Sequence, residues 1–597
     1  MEPARFAVGI DLGTTNCTLA WAALDDDGAG PEVLEIPQLV ASGEVAAQLQ
    51  LPSFLYLPVE AELGGKAMAL PWDAERPLAV GAYARDRGSQ VPGRVIASAK
   101  SWLCHGGVDR HGAILPWGAV DDVALMSPVA AAAHYLQHLR EAWDQVHPDA
   151  ALASQDLVVT VPASFDAVAR GLTEEAVQQA GLGEHFTLLE EPQSAFYAWL
   201  AAQGPAWRDQ VHVGDLILVC DIGGGTTDFS LIAVTEAKGS LELQRLAVGD
   251  HILLGGDNMD LALAYSLKAE LEQQGKTIDD WQLAAMTHGC RTAKEALLQD
   301  PGREGYPVVV PSRGRKLIGG TLSTELSRAR LTEILVEGFF PEVTSDARPL
   351  APRRSGLTTL GLPYASDAAV TRHLAAFLGR QIDAGAGHGT GTFRHPTAVL
   401  FNGGVTKAEP LCQRIVQVLD RWLQADGAGT VRVLAGAQPD LAVARGAAYY
   451  AGVRRGRGVR IRGGTARAYY VGIERAELAV PGIPPRFDAI CVAPFGMEEG
   501  SEAELPIELG LVVGESAAFR FFASSTRRGD QIASQARPEG DDVEELASVE
   551  AMLEGEAGRA VPVRLHSRVT EVGTLELAAV ETVSGRRHRL EFNIRVE

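Results

Sequence analysis

Apolar and polar positions along the chain follow two regimes. Through residue 453, short apolar runs alternate with longer stretches in which apolar residues recur every three or four positions, which predicts strands interleaved with helices. Leu157-Val-Val-Thr-Val161 has the unbroken apolar character of a buried strand, and Phe165 to Gly181 reads as a helix with Gly181 just past its end. Residues 258–300 are helical in pattern, Ala398 to Phe401 is a strand entering a glycine turn, and Pro410 to Leu423 is a helix. From residue 466 onward, short runs alternate apolar with polar residues, as in Tyr469 to Ile473, Ala517 to Ala523, Val561 to Leu565 and Leu575 to Val583. That pattern predicts an antiparallel β domain.

Two stretches resemble each other about 210 residues apart. They are Phe6-Ala-Val-Gly-Ile-Asp11-Leu-Gly13-Thr14-Thr15-Asn16 and Leu218-Val-Cys-Asp221-Ile-Gly223-Gly224-Gly225-Thr226-Thr227-Asp228. Each is an apolar run ending in Asp, then Gly and Thr, then another apolar run. This predicts strand, tight turn, strand, and the repetition implies two similar lobes that each offer one hairpin to a common cleft.

The chemistry of those turns points to phosphate. Glycine admits a ligand close to the backbone, and consecutive N–H groups form a concave nest for anionic oxygens, with Thr hydroxyls adding donors. Asp11 and Asp221 would repel phosphate directly, but they suit Mg²⁺ and its waters. Either turn alone is weakly distinctive; the pair in matching contexts is specific.

Composition narrows the partners. The chain has 597 residues, roughly three to five domains' worth, with 46% hydrophobic and 22% charged positions, the mark of a globular protein. Its 53 Lys plus Arg against 76 Asp plus Glu give a formal charge of −23, which argues against nucleic acid and against an anionic membrane surface. Six separated Cys form neither a disulfide framework nor a CxxC zinc pattern, and Cys17 and Cys220 read as small buried hydrophobes beside the two turns. The His residues show no HExxH spacing, and no GxSxG nucleophile elbow is present. No apolar run approaches a membrane span and the start lacks a secretory signal, so the expected compartment is cytoplasmic.

The motifs GIDLGTTN, VVTVPASFDAVARGLTEEAVQQAGL, LLEEPQSAFYAWL, LVCDIGGGTTDFSL, LLGGDNMD, AKEAL and LFNGGVTKAEPL resemble, in order and spacing, those of DnaK-type chaperones, the seventy-kilodalton heat-shock protein family. The resemblance covers residues 5–453 and is weak past 465. It implies an α/β actin-like ATPase fold, with two duplicated lobes around a nucleotide cleft, over residues 1–453. A linker at 454–465 and a β-sandwich substrate-binding domain at 466–597 would follow, without the family's helical lid.

The same resemblance implies roles for particular residues. Asp11 and Asp221 would hold Mg²⁺ through water. Gly13, Thr14, Thr15 and Asn16, with Gly223, Gly224, Gly225, Thr226 and Asp228, would hold the phosphates of ATP or ADP. Lys100 and Glu191, with Asp221 and Thr226, would form the catalytic group. Gly403, Gly404, Lys407 and Lys294 would border the nucleoside, and Pro162 and Arg170 would relay the nucleotide state. An unfolded or extended polypeptide would be the partner, with cochaperones, and hydrolysis would be slow. The alternative is a nucleotide-regulated module for one dedicated partner.

Four departures stand out. Arg291 and Leu298 replace a glutamate and a serine typical at the nucleoside, and Lys407 replaces an arginine that stacks on adenine. The linker, Arg454-Arg-Gly-Arg-Gly-Val-Arg-Ile-Arg-Gly-Gly464, carries five Arg where the family has a short aliphatic segment, leaving only Val459 and Ile461 to dock. The acidic run at 541–556 reads as a solvated loop or short helix.

Overall fold

The protein is described here from a computed structural model. It describes the chain except residues 1–3, 26–29, 63–66, 89–90, 120–121, 166, 184, 238–239, 311–321, 351–361, 363, 382–392, 437, 457–460, 464, 466, 476–477, 479–485, 498–499, 525–526, 528, 539–542, 547–548, 553–557, 570–573 and 596–597. Two compact units result. The first comprises residues 1–165, 169–234 and 248–459; the second comprises 166–168, 235–247 and 460–597.

The first unit is built on two sheets of the same plan. In one, β1 (Phe6–Leu12) pairs antiparallel with β2 (Asn16–Ala23) and parallel with β3 (Asp156–Val161), which pairs parallel with β4 (Phe186–Glu190). In the other, β5 (Leu216–Ile222) pairs antiparallel with β6 (Thr227–Ala237) and parallel with β7 (Ala398–Asn402), which pairs parallel with β8 (Arg432–Val433). The central strands are apolar on both faces, and every residue of β5 is buried, as expected where helices cover both sides of a parallel arrangement. The predicted hairpins are therefore present, and each Asp stands one residue before the end of its strand.

Helices then place the remaining side chains. α1 (Ala99–Leu103) carries Lys100, and α2 (Glu191–Gln203) begins at Glu191 directly after β4. α3 (Gly256–Gln273) and α4 (Asp280–Gln299) divide the helical pattern of 258–300 into two. α4 starts at a reciprocal cap: the Asp279 carboxylate accepts the Gln282 N–H at 2.8 Å, and the Gln282 side chain accepts the Asp279 N–H at 3.1 Å. α5 (Ala442–Arg454) lies against α2 through small side chains, and Ser194 Oγ donates to the Val443 carbonyl at 2.6 Å. The Phe165–Gly181 helix is observed at Ala167–Gln179, and Pro410–Leu423 at Glu409–Ala425. The described part of 341–367 holds no helix or strand, and residues 351–361 and 363 lie outside the described set.

In the second unit, strands Ala468–Glu474, Phe487–Ala493 and Phe521–Ser524 form the centre of one sheet, and Arg559–Val569, Thr574–Glu581 and Arg587–Arg595 form most of another. Tyr469, Val471, Ile490 and Phe521 from the first share a core with Val563, Leu565, Leu575 and Leu577 from the second. The run at 541–556 departs from expectation: Glu544–Glu545 and Val549–Met552 are strands, pairing with Phe522–Ala523 and Ser516–Phe519. Cross-strand partners set the conformation there and override the acidic composition.

The linker splits between the units. Arg454 and Arg455 both engage Asp156, at 3.6 and 2.7 Å, within the first unit. Within the second, Ile461–Gly463 pairs parallel with Leu243–Arg245, and Ile461 is buried. Val459 lies outside the described residues.

Candidate functional site

The two hairpin turns meet each other. A Cβ on Gly224 would lie 1.9 Å from Thr15 Oγ1, so only glycine lets the two turns approach this closely. A third turn joins them at Gly403, whose φ is +85° and whose Cβ would fall 2.4 Å from the Ile222 carbonyl oxygen and 2.7 Å from Asp221 Oδ1. Strand, turn and absent side chain thus bring β1–β2, β5–β6 and the end of β7 to one place.

A cleft of about 350 Å³ opens there, within the range of small-molecule sites. Asp11, Gly13, Thr14, Thr15, Asn16, Lys100, Glu191, Asp221, Gly223, Gly224, Thr226, Lys294, Gly403, Gly404 and Lys407 all line it. Of the residues expected to hold metal or nucleotide, Gly225 and Asp228 are not among the lining. Gly225 packs on Thr14, where its Cβ would meet Cγ2 at 2.7 Å, and Asp228 is 3% exposed behind the wall. Leu298, Met259, Leu335, Val405 and Leu411 add apolar surface.

Lys100 and Glu191 form a buried ion pair, Lys100 Nζ donating to Glu191 Oε1. Burial works against the Lys100 ammonium, but the charges of Glu191 and Asp11 outweigh it and raise its pKa, so it stays protonated. Burial followed by the Glu191 charge pushes Asp11 up to about 7, with Lys100 pulling back. Burial and then Glu191 also hold Asp221 well above the usual carboxylate range. Asp11, Glu191 and Asp221 thus repel one another in a buried cleft, which favours their neutral forms and which a hard cation would relieve.

The donor set fits Mg²⁺ with its waters. Asp11, Glu191, Asp221, Thr15 and Asn402 offer only oxygens toward a metal, the preference of a hard cation. Thr15 Oγ1 and Asn402 Oδ1 are buried without a hydrogen-bond partner. Asp11 and Asp221 are the residues that would hold the ion's water shell.

The nucleoside-side residues form a charged network that the sequence reading missed. Arg291 Nε donates to Asp260 Oδ2 at 2.9 Å, its Nη2 pairs with Asp257, and Lys294 Nζ lies 2.7 Å from Asp260 Oδ1. Lys294 also donates to the Gly256 carbonyl at 3.2 Å, and Lys407 pairs with Asp440 at 2.5 Å. Asp257 and Asp260 stand in the quoted LLGGDNMD motif, and a basic residue spaced one helix length away was the available signal. Arg170, a predicted relay residue, is buried, binds Glu190 at 3.0 Å and donates to the Phe165 carbonyl at 3.0 Å, beside buried Pro162.

A second cluster borders the Lys100 side. Ser164 Oγ donates to Asp228 Oδ1 at 2.5 Å and lies 2.6 Å from His251 Nδ1. Burial lowers the His251 pKa, but the Asp228 carboxylate, 3.8 Å from Nδ1, and Cys104 raise it to about 10. Nothing in the local sequence around His251 marks it, because its partners Asp228, Ser164 and Cys104 lie 23, 87 and 147 residues away. Cys17 and Cys220 are fully buried; burial pushes Cys17 up to about 12 and holds Cys220 well above the ordinary thiol value, which keeps both as thiols.

Known proteins match part of this chain in sequence. Residues 112–348 match the family model described as Hsp70 protein. A "Chaperone protein HscA homolog" of Burkholderia cenocepacia (strain HI2424) is 32% identical over 376 residues, 60% of this chain and 50% of that protein. One from Cupriavidus pinatubonensis (strain JMP 134 / LMG 1197) is 33% identical over 313 residues, 50% of this chain and 43% of that protein. The chain spans about half the length of the curated relatives it matches. No helix among the described residues is long and apolar enough to cross a membrane.

Proposed function

We propose that this Hsp70-type chain, with residues 112–348 matching the Hsp70 family, is a nucleotide-driven chaperone of the DnaK kind. In this reading residues 1–453 are an actin-like ATPase domain, 454–465 the linker and 466–597 a β-sandwich domain that binds extended polypeptide in the cytoplasm. Two sheets of the same strand order, one repeated hairpin each, and the family match support it.

The single observation that carries the reading is the contact of the two glycine–threonine turns, Gly224 against Thr15, over a cleft that also holds Asp11, Asp221, Lys100 and Glu191. Backbone N–H groups of Gly13 to Thr15 and Gly224 to Thr226 bind the phosphates, while the Gly223 N–H closes its own turn on the Thr226 carbonyl at 2.9 Å. Mg²⁺, held through water by Asp11 and Asp221, supplies charge neutralisation when bound. Lys100 sets its ammonium against charge that develops as the γ-phosphoryl departs, and Glu191 orients both Lys100 and the attacking water. Gly403 and Gly404 lay backbone against the nucleoside. In this reading hydrolysis is slow.

The test of the whole reading is peptide affinity in the full chain with ATP and with ADP. Weaker peptide binding in ATP than in ADP supports the coupled chaperone. A peptide affinity blind to nucleotide, with one stoichiometric partner co-purifying, supports the dedicated-partner module instead.

A further inference from the structure

Each presumed metal-facing carboxylate has a polar neighbour at the same level of the adjacent parallel strand. In β1 and β3 the register pairs Asp11 with Thr160; in β5 and β7 it pairs Asp221 with Asn402. Parallel neighbours in register project to the same face of a sheet. Thr160 Oγ1 donates to Asp11 Oδ1 at 3.3 Å, and Asn402 Nδ2 donates to Asp221 Oδ2 at 2.8 Å. The duplication of the hairpin therefore extends to the strand beside it, with a hydroxyl in one lobe and an amide in the other.

Asn402 is the stronger case. It ends the apolar strand Ala398-Val-Leu-Phe-Asn402, where asparagine is disfavoured and a β-branched residue would pack better. It is 1% exposed, and its Oδ1 has no hydrogen-bond partner although it lines the cleft. A buried amide oxygen left without a donor is costly and uncommon, so its retention marks a place where a ligand supplies the donor. The amide is already oriented: Nδ2 is spent on Asp221, which leaves Oδ1 as the free acceptor.

We propose that Asn402 and Thr160 are a matched pair of positioning residues for a nucleotide-bound divalent cation, each orienting the carboxylate on the next strand, with Asn402 Oδ1 also accepting from the cation's water shell. This rests on reading the cleft as a nucleotide–metal site. An oriented carboxylate loses less freedom when it takes up a metal-bound water, and removing such outer partners costs about 10–100-fold in metal affinity.

The test uses the full chain as wild type, Asn402→Val and Thr160→Val; the second keeps the side chain's shape, and the first removes the amide while suiting the strand. ADP affinity is measured with Mg²⁺ and with a chelator in its place, and each variant's melting is recorded. The expected result is that Asn402→Val loses about 10-fold or more of the Mg²⁺-dependent gain in ADP affinity, and Thr160→Val less, while chelator values stay within about twofold of wild type. A merely structural role would lower both values together, and that result overturns the proposal. An Asn402→Val gain equal to wild type also overturns it, with the nucleotide-site reading intact. A wild type that binds no ADP in either condition overturns both. Should Asn402→Val fail to fold, Thr160→Val decides by the same two readings.

Discussion

Lys100 and Glu191 meet as a buried ion pair although 91 residues separate them, one on a five-residue helix and the other at the first turn of a helix that follows β4. The pair is the centre of the site's electrostatics. Removing one member leaves a buried charge uncompensated, which costs about 3–5 kcal/mol, whereas replacing both with neutral groups of similar volume is often neutral. Lys100→Met is therefore expected to destabilise the first unit by that order in chemical denaturation, and Lys100→Met with Glu191→Gln to recover most of it.

The contact between the two turns gives a second expectation. Gly224→Ala places a methyl group where Thr15 Oγ1 lies 1.9 Å away, so the turns must separate. Nucleotide binding by calorimetry is expected to fall by at least about tenfold, about 1.4 kcal/mol. Adding Thr15→Ala removes the clashing hydroxyl, and partial recovery in the double variant is the expected coupling.

His251 makes stability depend on alkaline pH. Its folded pKa of about 10 lies above the ordinary value of 6.5, so protonated His251 favours the folded state. That contribution is complete below pH 6.5 and is lost as pH rises from 6.5 through about 10. The groups facing it are Asp228, Ser164, Cys104 and, more distantly, Glu191. His251→Gln is expected to flatten the fall in stability between those limits, by about a few kcal/mol, measured by denaturation across pH. An unchanged slope contradicts the pairing.

Arg291 is locked to Asp257 and Asp260. Arg291→Glu places three carboxylates together. The expected outcome is destabilisation of about 3 kcal/mol or more and weaker nucleotide binding, since the surrounding network has adapted to a cation.

Much of this architecture was legible in the residues. Asp11 and Asp221, each followed by Gly and Thr and flanked by apolar runs, announced both hairpins, because strand period and turn chemistry are local. The cleft lining followed from the motif order. What escaped was set by register between distant strands. Asn402 became visible only beside Asp221, Thr160 only beside Asp11, and His251 only beside Ser164 and Asp228. The strands at Glu544–Glu545 and Val549–Met552 escaped for the same reason, since their partners lie across the sheet and not in the adjoining sequence.

The central claim is that the cleft binds ATP with Mg²⁺ and hydrolyses it through Lys100. Single-turnover hydrolysis of ATP by the full chain, compared between wild type and Lys100→Ala at saturating nucleotide, tests it most directly. A slow wild-type turnover that drops about 10²–10³-fold in the variant, with ATP still bound, is the predicted result. No turnover in wild type, or equal turnover in both, would contradict the account.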